Sequence, residues 1–128
     1  YGRTALCLSG GASLAYYHLG VAKALFENDV LPHVFTGASA GALIAALICV
    51  RTNAELNSEV FTPDVYVRLA KGGSAFELGN IIRLFETGHM YESEKWYDKV
   101  VAQVTYGETT FMEAFKRTGR ILNITGFE

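Results

Sequence analysis

The sequence lacks a strong excess of charge of either sign, since its 128 residues carry a formal net charge of −2. No basic stripe alternates with aromatic residues, so nothing in the composition points to nucleic acid as a partner. The longest apolar run, Ala38–Val50, is shorter than the ~20 residues that a membrane-spanning helix needs. The opening residues do not place an apolar segment after a basic one, so we expect no secretory signal peptide.

Cysteine is scarce as well. The two cysteines, Cys7 and Cys49, lie in apolar surroundings and do not have metal-ligand spacing. This favours two small, reduced core residues, and with them an intracellular setting. With 50% hydrophobic and 19% charged residues, the chain has the composition of a packed core rather than of a disordered segment.

The first half of the chain has the pattern of an α/β fold. Thr4–Leu8 and Val34–Thr36 are predicted strands, followed by predicted helices over Ser13–Glu27 and Ala40–Val50. The apolar residues expected on one side of the first helix are Leu14, Val21 and Leu25. The second helix is small and apolar almost all round, so it is expected to be buried. This order predicts a parallel sheet with a right-handed crossover and helices packed on it.

The second half is predicted to be rich in helix. Thr52–Glu55 and Thr110–Glu113 match capping boxes, and Thr62-Pro63 favours another helix start. Gly119 is predicted as the C′ residue that follows a helix, and Arg120–Thr125 returns to a strand pattern. Helical spacing is also seen in two groups of apolar residues: Leu78, Ile81, Ile82 and Phe85; and Trp96, Val100, Val101 and Val104.

One pentapeptide carries a chemical signal. Gly37-Ala38-Ser39-Ala40-Gly41 lies between a predicted strand and a helix of small residues, the setting in which G-x-S-x-G forms a nucleophile elbow. The glycines remove Cβ atoms that would clash with strand and helix, and the Ser39 hydroxyl would stand at the positive end of the helix. The alternative is that Ser39 only caps the helix, since serine is a favoured N-cap.

A second glycine loop, Ser9-Gly10-Gly11-Ala12-Ser13, also joins a strand to a helix. Backbone N–H groups at such a helix start are what a developing oxyanion requires. A tight turn or a phosphate loop is the alternative, although neither G-x-G-x-x-G nor the P-loop pattern is present. Both loops follow adjacent parallel strands and are expected at the same edge of the sheet, a pairing that indicates acyl transfer.

Four segments together resemble the patatin-like phospholipase family, in its branch of triacylglycerol lipases of plant and fungal lipid droplets. They are Leu8–Leu14 (LSGGASL), Tyr17–Val21 (YHLGV), Thr36–Gly41 (TGASAG) and the closing Phe111–Ile124. The resemblance covers essentially the whole chain.

The resemblance implies a three-layer α/β/α fold with a mainly parallel sheet and a Ser–Asp dyad without a catalytic histidine or cofactor. It also implies hydrolysis of long-chain acyl glycerides or phospholipids at a lipid droplet or membrane surface. The implied site consists of Ser39 as nucleophile, the backbone of Gly10, Gly11 and Ala12 as oxyanion hole, and Gly37, Ala38, Ala40 and Gly41 as elbow.

The sequence departs from the family pattern in three respects. It contains no Asp-Gly pair, because Asp29, Asp64 and Asp98 precede Val, Val and Lys. We therefore expect residues 1–128 to be the N-terminal part of one patatin-like domain, nearly inactive alone, with the dyad aspartate downstream. Ala15 stands where this branch usually has glycine, a change expected to be tolerated. The His-x4-Asp acyltransferase motif of some relatives is absent after His18, His33 and His89.

Other interpretations remain open from the sequence. Ser39, Asp64 and His89 occur in the chain order of an α/β-hydrolase triad, although only one strand precedes the elbow. His18 is expected to be a packed or helix-satisfied histidine rather than a base. A catalytically inactive scaffold or pseudoenzyme is the non-enzymatic alternative. Four aromatic residues are expected in the core or along an acyl groove: Phe76, Phe85, Trp96 and Tyr97.

Overall fold

The computed structural model describes residues 3–67, 102–107 and 109–126. The elements of the first half are β1 (Ala5–Leu8), a 3-10 helix (Ala12–Tyr16), α1 (Tyr17–Glu27), β2 (Val34–Ala38) and α2 (Ala40–Cys49). Those that follow are α3 (Asn53–Glu55), a π-helical turn (Leu56–Val60), α4 (Ala102–Thr105), α5 (Phe111–Thr118) and β3 (Ile121–Thr125).

In the described part of the chain the strands form one parallel sheet in the order β1-β2-β3. Leu8 pairs with Gly37, and Ala38 at the end of β2 pairs with Thr125. The strands predicted from the sequence are confirmed, although β2 continues two residues further, to Ala38. The carboxyl ends of β1 and β2 therefore lie side by side, and both glycine loops leave the sheet at that edge.

Helix α2 is the centre of the core, as its composition predicts. Eight of its ten residues are buried. It packs on the sheet face that carries Phe35, which is fully buried. Phe35 pairs with Leu6 on β1 and with Leu122 on β3. Ala5 and Ile121, on the opposite face, are exposed. The α/β fold class with a parallel sheet is thus confirmed, and the described residues supply the sheet and one helical layer.

The first helix differs from its prediction in two ways. It begins as a 3-10 helix, and its buried side chains are Ala15, Leu19 and Ala22, whereas Leu14 and Val21 are 66% and 51% exposed. These buried residues belong to the same core cluster as the buried side chains of α2. The methyl group of Ala15 is part of the core.

The end elements follow the sequence signals closely. Thr52 and Thr110 each accept a hydrogen bond from the backbone N–H three residues on, and both capping boxes are complete. Gly119 ends α5 with φ 71, the left-handed conformation that glycine adopts without strain. The helix expected to start at Thr62-Pro63 begins at residue 65. The apolar pattern from Leu78 to Phe85, and most of the one from Trp96 to Val104, lies outside the described residues.

The two cysteines differ from each other in burial. Cys49 is fully buried, and this burial raises the pKa of its thiol to about 12. Cys7, on the exposed sheet face, is itself exposed, so its prediction as a core residue was wrong. Neighbouring residues of a strand point to opposite faces of the sheet, so Cys7 faces away from the side on which Leu8 is buried. A run of apolar residues does not indicate which face each residue occupies. Both cysteines are free thiols. Over the described ranges, no helix is long and apolar enough to cross a membrane.

Four side chains hold the carboxyl end of α2. The last carbonyl groups of a helix have no partner within it, and cations are favoured there by the helix dipole. Arg51 donates to the Leu47 carbonyl oxygen at 3.0 Å, and Arg117 to that of Val50 at 3.1 Å. Thr118 donates to the Cys49 carbonyl oxygen at 2.9 Å and Arg120 to that of Arg51 at 2.6 Å. The helix that carries Ser39 at one end is thus anchored at the other.

Replacing Arg51 with methionine is expected to lower the free energy of unfolding by about 2–4 kcal/mol. Arg51 is 5% exposed and bridges the carbonyl of Leu47, the carbonyl of Val104 and the Glu59 carboxylate, which would all lose a donor. Urea unfolding measures the change in free energy, and hydrogen exchange of the α2 amides in the native protein shows whether the loss is centred on that helix. Arg117→Met, at a more exposed side chain, is the control and should cost about 1 kcal/mol or less; equal losses would contradict the prediction.

Candidate active site

Ser39 occupies the turn between β2 and α2 in an unusual backbone conformation. Its φ is 51° and its ψ −127°, a region that L residues rarely adopt. Such a conformation costs about 1–3 kcal/mol and is found mostly at functional sites. Ser39 is exposed and occupies the N-cap position, yet its side chain makes no capping hydrogen bond. The interpretation of Ser39 as a simple helix cap therefore has no support in the geometry.

The two glycines of the elbow are required by close backbone packing. A Cβ atom on Gly37 would lie 2.6 Å from Ala42 Cα, and one on Gly41 would lie 2.3 Å from the Leu8 carbonyl oxygen and 2.4 Å from that of Ser9. All of these neighbours are backbone atoms, which cannot rotate away as a flexible side chain would. The glycines thus allow α2 to begin directly against the ends of β1 and β2, which gives the turn its sharpness.

The second glycine loop lies against Ser39. A Cβ atom on Gly10 would stand 3.0 Å from Ser39 Cβ and 3.6 Å from Ser39 Oγ. Gly10 is therefore in van der Waals contact with the serine side chain, and a larger residue there would crowd the hydroxyl. The structure brings together the two loops that the sequence placed at the same sheet edge.

The same loop leads into the 3-10 helix. Gly11 has φ 148°, which favours glycine, and its carbonyl accepts from the Leu14 N–H at 2.9 Å. The first N–H groups of a helix have no partner within the helix. The backbone at Gly11 and Ala12 thus forms a helix start directly after Gly10, and N–H groups at such a start are the kind of donor that an oxyanion requires. Its role as a donor to substrate stays a prediction.

His18 has a contact that the sequence pattern did not indicate. Its Nε2 lies 2.9 Å from the carbonyl oxygen of Ser9, at the start of the glycine loop. A carbonyl oxygen only accepts, so Nε2 carries a hydrogen and donates. His18 is thus more than a packed side chain, and it does not act as a base through Nε2 while this bond holds. The two residues are nine positions apart across a loop, a spacing that no helix or strand period makes visible.

Two of the candidate acidic residues, Asp29 and Asp64, lie in the described structure. Asp29 precedes β2, at the sheet edge opposite to Ser39, and Asp64 is exposed in the turn before residues 65–67. His89 and Asp98 lie outside the described residues. So do the aromatic residues proposed for the core or an acyl groove, namely Phe76, Phe85, Trp96 and Tyr97. In the part of the chain with described positions, no group of three or more His, Cys, Asp or Glu side chains could hold a metal ion.

The fold and the site together define an α/β protein with a parallel sheet, in which a G-x-S-x-G turn lies beside a second glycine loop. The patatin-like phospholipase family profile matches residues 6–126. The chain belongs to the patatin-like phospholipase family. This confirms the resemblance seen in the four sequence segments.

Fungal relatives support the assignment. The chain is 48% identical over 125 residues to a patatin-like phospholipase domain-containing protein of Pyricularia oryzae. It is 49% identical over 125 residues to the Neurospora crassa protein NCU11180, and 47% over 129 residues to triacylglycerol lipase ptl2 of Schizosaccharomyces pombe. Each match covers 98% of this chain, but only 16%, 14% and 19% of the respective relative. No solved structure matches the chain significantly.

Proposed function

We infer that the full-length protein containing this chain hydrolyses acyl esters of lipids, with Ser39 as the nucleophile. The observation that carries this inference is the exposed Ser39 in its strained turn, without a capping hydrogen bond and in contact with the Gly10 loop. Membership of the patatin-like family supports a lipid substrate, and the relative named triacylglycerol lipase ptl2 favours long-chain acylglycerols, with phospholipids as the second class.

The proposed reaction begins with attack of Ser39 Oγ on the ester carbonyl carbon, while a base takes the hydroxyl proton. The carbonyl oxygen becomes an oxyanion, which the backbone N–H groups of Gly10, Gly11 and Ala12 stabilise by hydrogen bonds. The proton then passes to the leaving alcohol as the C–O bond breaks, giving an acyl-enzyme. A water molecule then attacks the acyl-enzyme carbonyl while the base takes its proton. The proton returns to Ser39 Oγ as the acyl C–O bond breaks, which releases the fatty acid and restores the serine. No metal or cofactor is needed for these steps.

The base in this proposal is an aspartate outside the 128 residues, as the family resemblance implies. His18 is not available as this base through Nε2 while it donates to the Ser9 carbonyl oxygen. We further propose that the protein works at a lipid droplet or membrane surface inside the cell, where long-chain esters are concentrated. Genomic sequence downstream of residue 128 should then encode an Asp-Gly motif in frame.

A fluorophosphonate probe is expected to label the full-length protein at Ser39. Such probes react with a serine only when its hydroxyl is activated and an oxyanion site accepts the phosphonyl oxygen. Mass spectrometry of the digested protein should locate the adduct on the peptide with Ser39 and leave Ser9 and Ser13 unmodified, although both are exposed. Absence of labelling in a folded protein that binds lipid would support the pseudoenzyme alternative.

A further inference from the structure

His18 links the glycine loop to a rigid part of the fold. The residue lies in the first turn of α1, and its Nε2 donates to the Ser9 carbonyl oxygen at 2.9 Å. The helix is fixed on either side of His18, because Ala15 is 3% and Leu19 2% exposed within the core. The backbone that carries the imidazole is therefore held by core packing and not by the loop that the imidazole contacts.

The Ser9 carbonyl oxygen is held from a second direction as well. The Gly41 backbone approaches so closely that a Cβ atom there would lie 2.4 Å from this oxygen. The oxygen thus sits between the imidazole of His18 and the first turn of α2, whose N-cap is Ser39. The Ser9 carbonyl oxygen is thus a point at which the glycine loop, α1 and α2 meet.

Fixing the direction of the Ser9 carbonyl also fixes the direction of the Gly10 N–H, one of the proposed oxyanion donors. The Ser9 carbonyl and the Gly10 N–H belong to one planar peptide group, and no cis peptide bonds occur in the described residues, so the two bonds point in opposite directions. Gly10 and Gly11 have no Cβ atoms to limit rotation of the neighbouring peptides. Without the His18 bond, only packing against Gly41 would restrain this peptide, and oxyanion donors act through being oriented in advance.

We propose that His18 is a positioning residue for the oxyanion loop: its Nε2–H bond to the Ser9 carbonyl sets the direction of the Gly10 peptide beside Ser39. This proposal rests on the proposed function, since it assigns His18 a task within that site. His18 does not touch substrate and transfers no proton. It makes the glycine loop a preformed site for the tetrahedral intermediate.

Two substitutions in the full-length protein test the proposal. His18→Leu keeps much of the side-chain volume but has no donor, and is expected to lower kcat for a long-chain acyl ester about ten- to a hundred-fold, less than loss of an oxyanion donor itself. KM and the unfolding midpoint should change little, and the rate of fluorophosphonate labelling should fall in parallel with kcat. His18→Gln places an amide N–H donor near the same position and should recover most of the lost turnover.

The controls separate this proposal from the proposed function. His33→Leu, at an exposed histidine before β2, removes an imidazole at the opposite sheet edge and should leave kcat unchanged. An unchanged kcat in His18→Leu, equal losses in the Gln and Leu variants, or a loss matched by a lower unfolding midpoint would each overturn the positioning role. If Ser39→Ala retained full activity, the proposed function itself would fail, whatever the His18 variants showed.

Discussion

Replacing Ser39 with alanine in the full-length protein is expected to reduce kcat for long-chain acyl esters by about ten-thousand-fold or more. The substitution removes the only atom proposed to form the acyl-enzyme, and what remains is the contribution of the oxyanion loop and of substrate binding. The fold should be preserved, because the Ser39 side chain is exposed and makes no capping hydrogen bond. Hydrolysis of triolein and of a lysophospholipid, with fatty acid release as the readout, measures the effect.

Ser13→Ala is the matched control for the nucleophile, since Ser13 is an exposed serine in the 3-10 helix after the Gly10-Gly11 loop and its side chain has no proposed role. Its turnover should equal that of the wild type. Residues 1–128 alone are expected to be nearly inert, because an alkoxide does not form at neutral pH without a base. Full turnover by Ser39→Ala would eliminate the nucleophile assignment, whereas robust activity of residues 1–128 would place a base within them and revive Asp64, Asp98 or His89.

Replacing Gly41 with alanine is expected to destabilise the domain by about 3 kcal/mol or more and to abolish turnover. The added methyl group would lie 2.3 Å from the Leu8 carbonyl oxygen and 2.4 Å from that of Ser9. Both are backbone atoms at the end of β1, so relief requires α2 to move away from the sheet. Such a movement would shift Ser39 relative to Gly10 and disturb the carbonyl that His18 holds. Denaturant unfolding and the ester assay together report both effects.

Gly20→Ala provides the comparison. Gly20 lies inside α1, and a Cβ atom there would meet nothing within 4 Å. Alanine is the better helix former, so this variant should be about 0.5–1 kcal/mol more stable than the wild type, with normal turnover. A Gly41→Ala protein as stable and active as Gly20→Ala would show that α2 does not begin in close contact with β1.

Several features could be predicted from the sequence because their causes are local. The capping boxes at Thr52 and Thr110 need only residues three positions apart, and the left-handed Gly119 needs only the absence of a Cβ atom. The strands around Leu8 and Phe35 were visible as short apolar runs before glycine. The first helix shows the limit of this approach, since periodicity alone does not tell which face meets the core, and its exposed residues include Leu14 and Val21.

By itself, the sequence determined the order of strands and helices, the glycine loops after the first two strands and the family that the four segments indicate. Only the tertiary structure decided what those loops do to each other. In the tertiary structure Gly10 lies against Ser39, Gly41 packs closely on the end of β1, and His18 donates to the Ser9 carbonyl oxygen. These contacts depend on the distance between parallel strands and on the packing of α1 and α2. The residues that meet there are nine or more positions apart along the chain, and no local propensity or helix or strand period encodes such contacts.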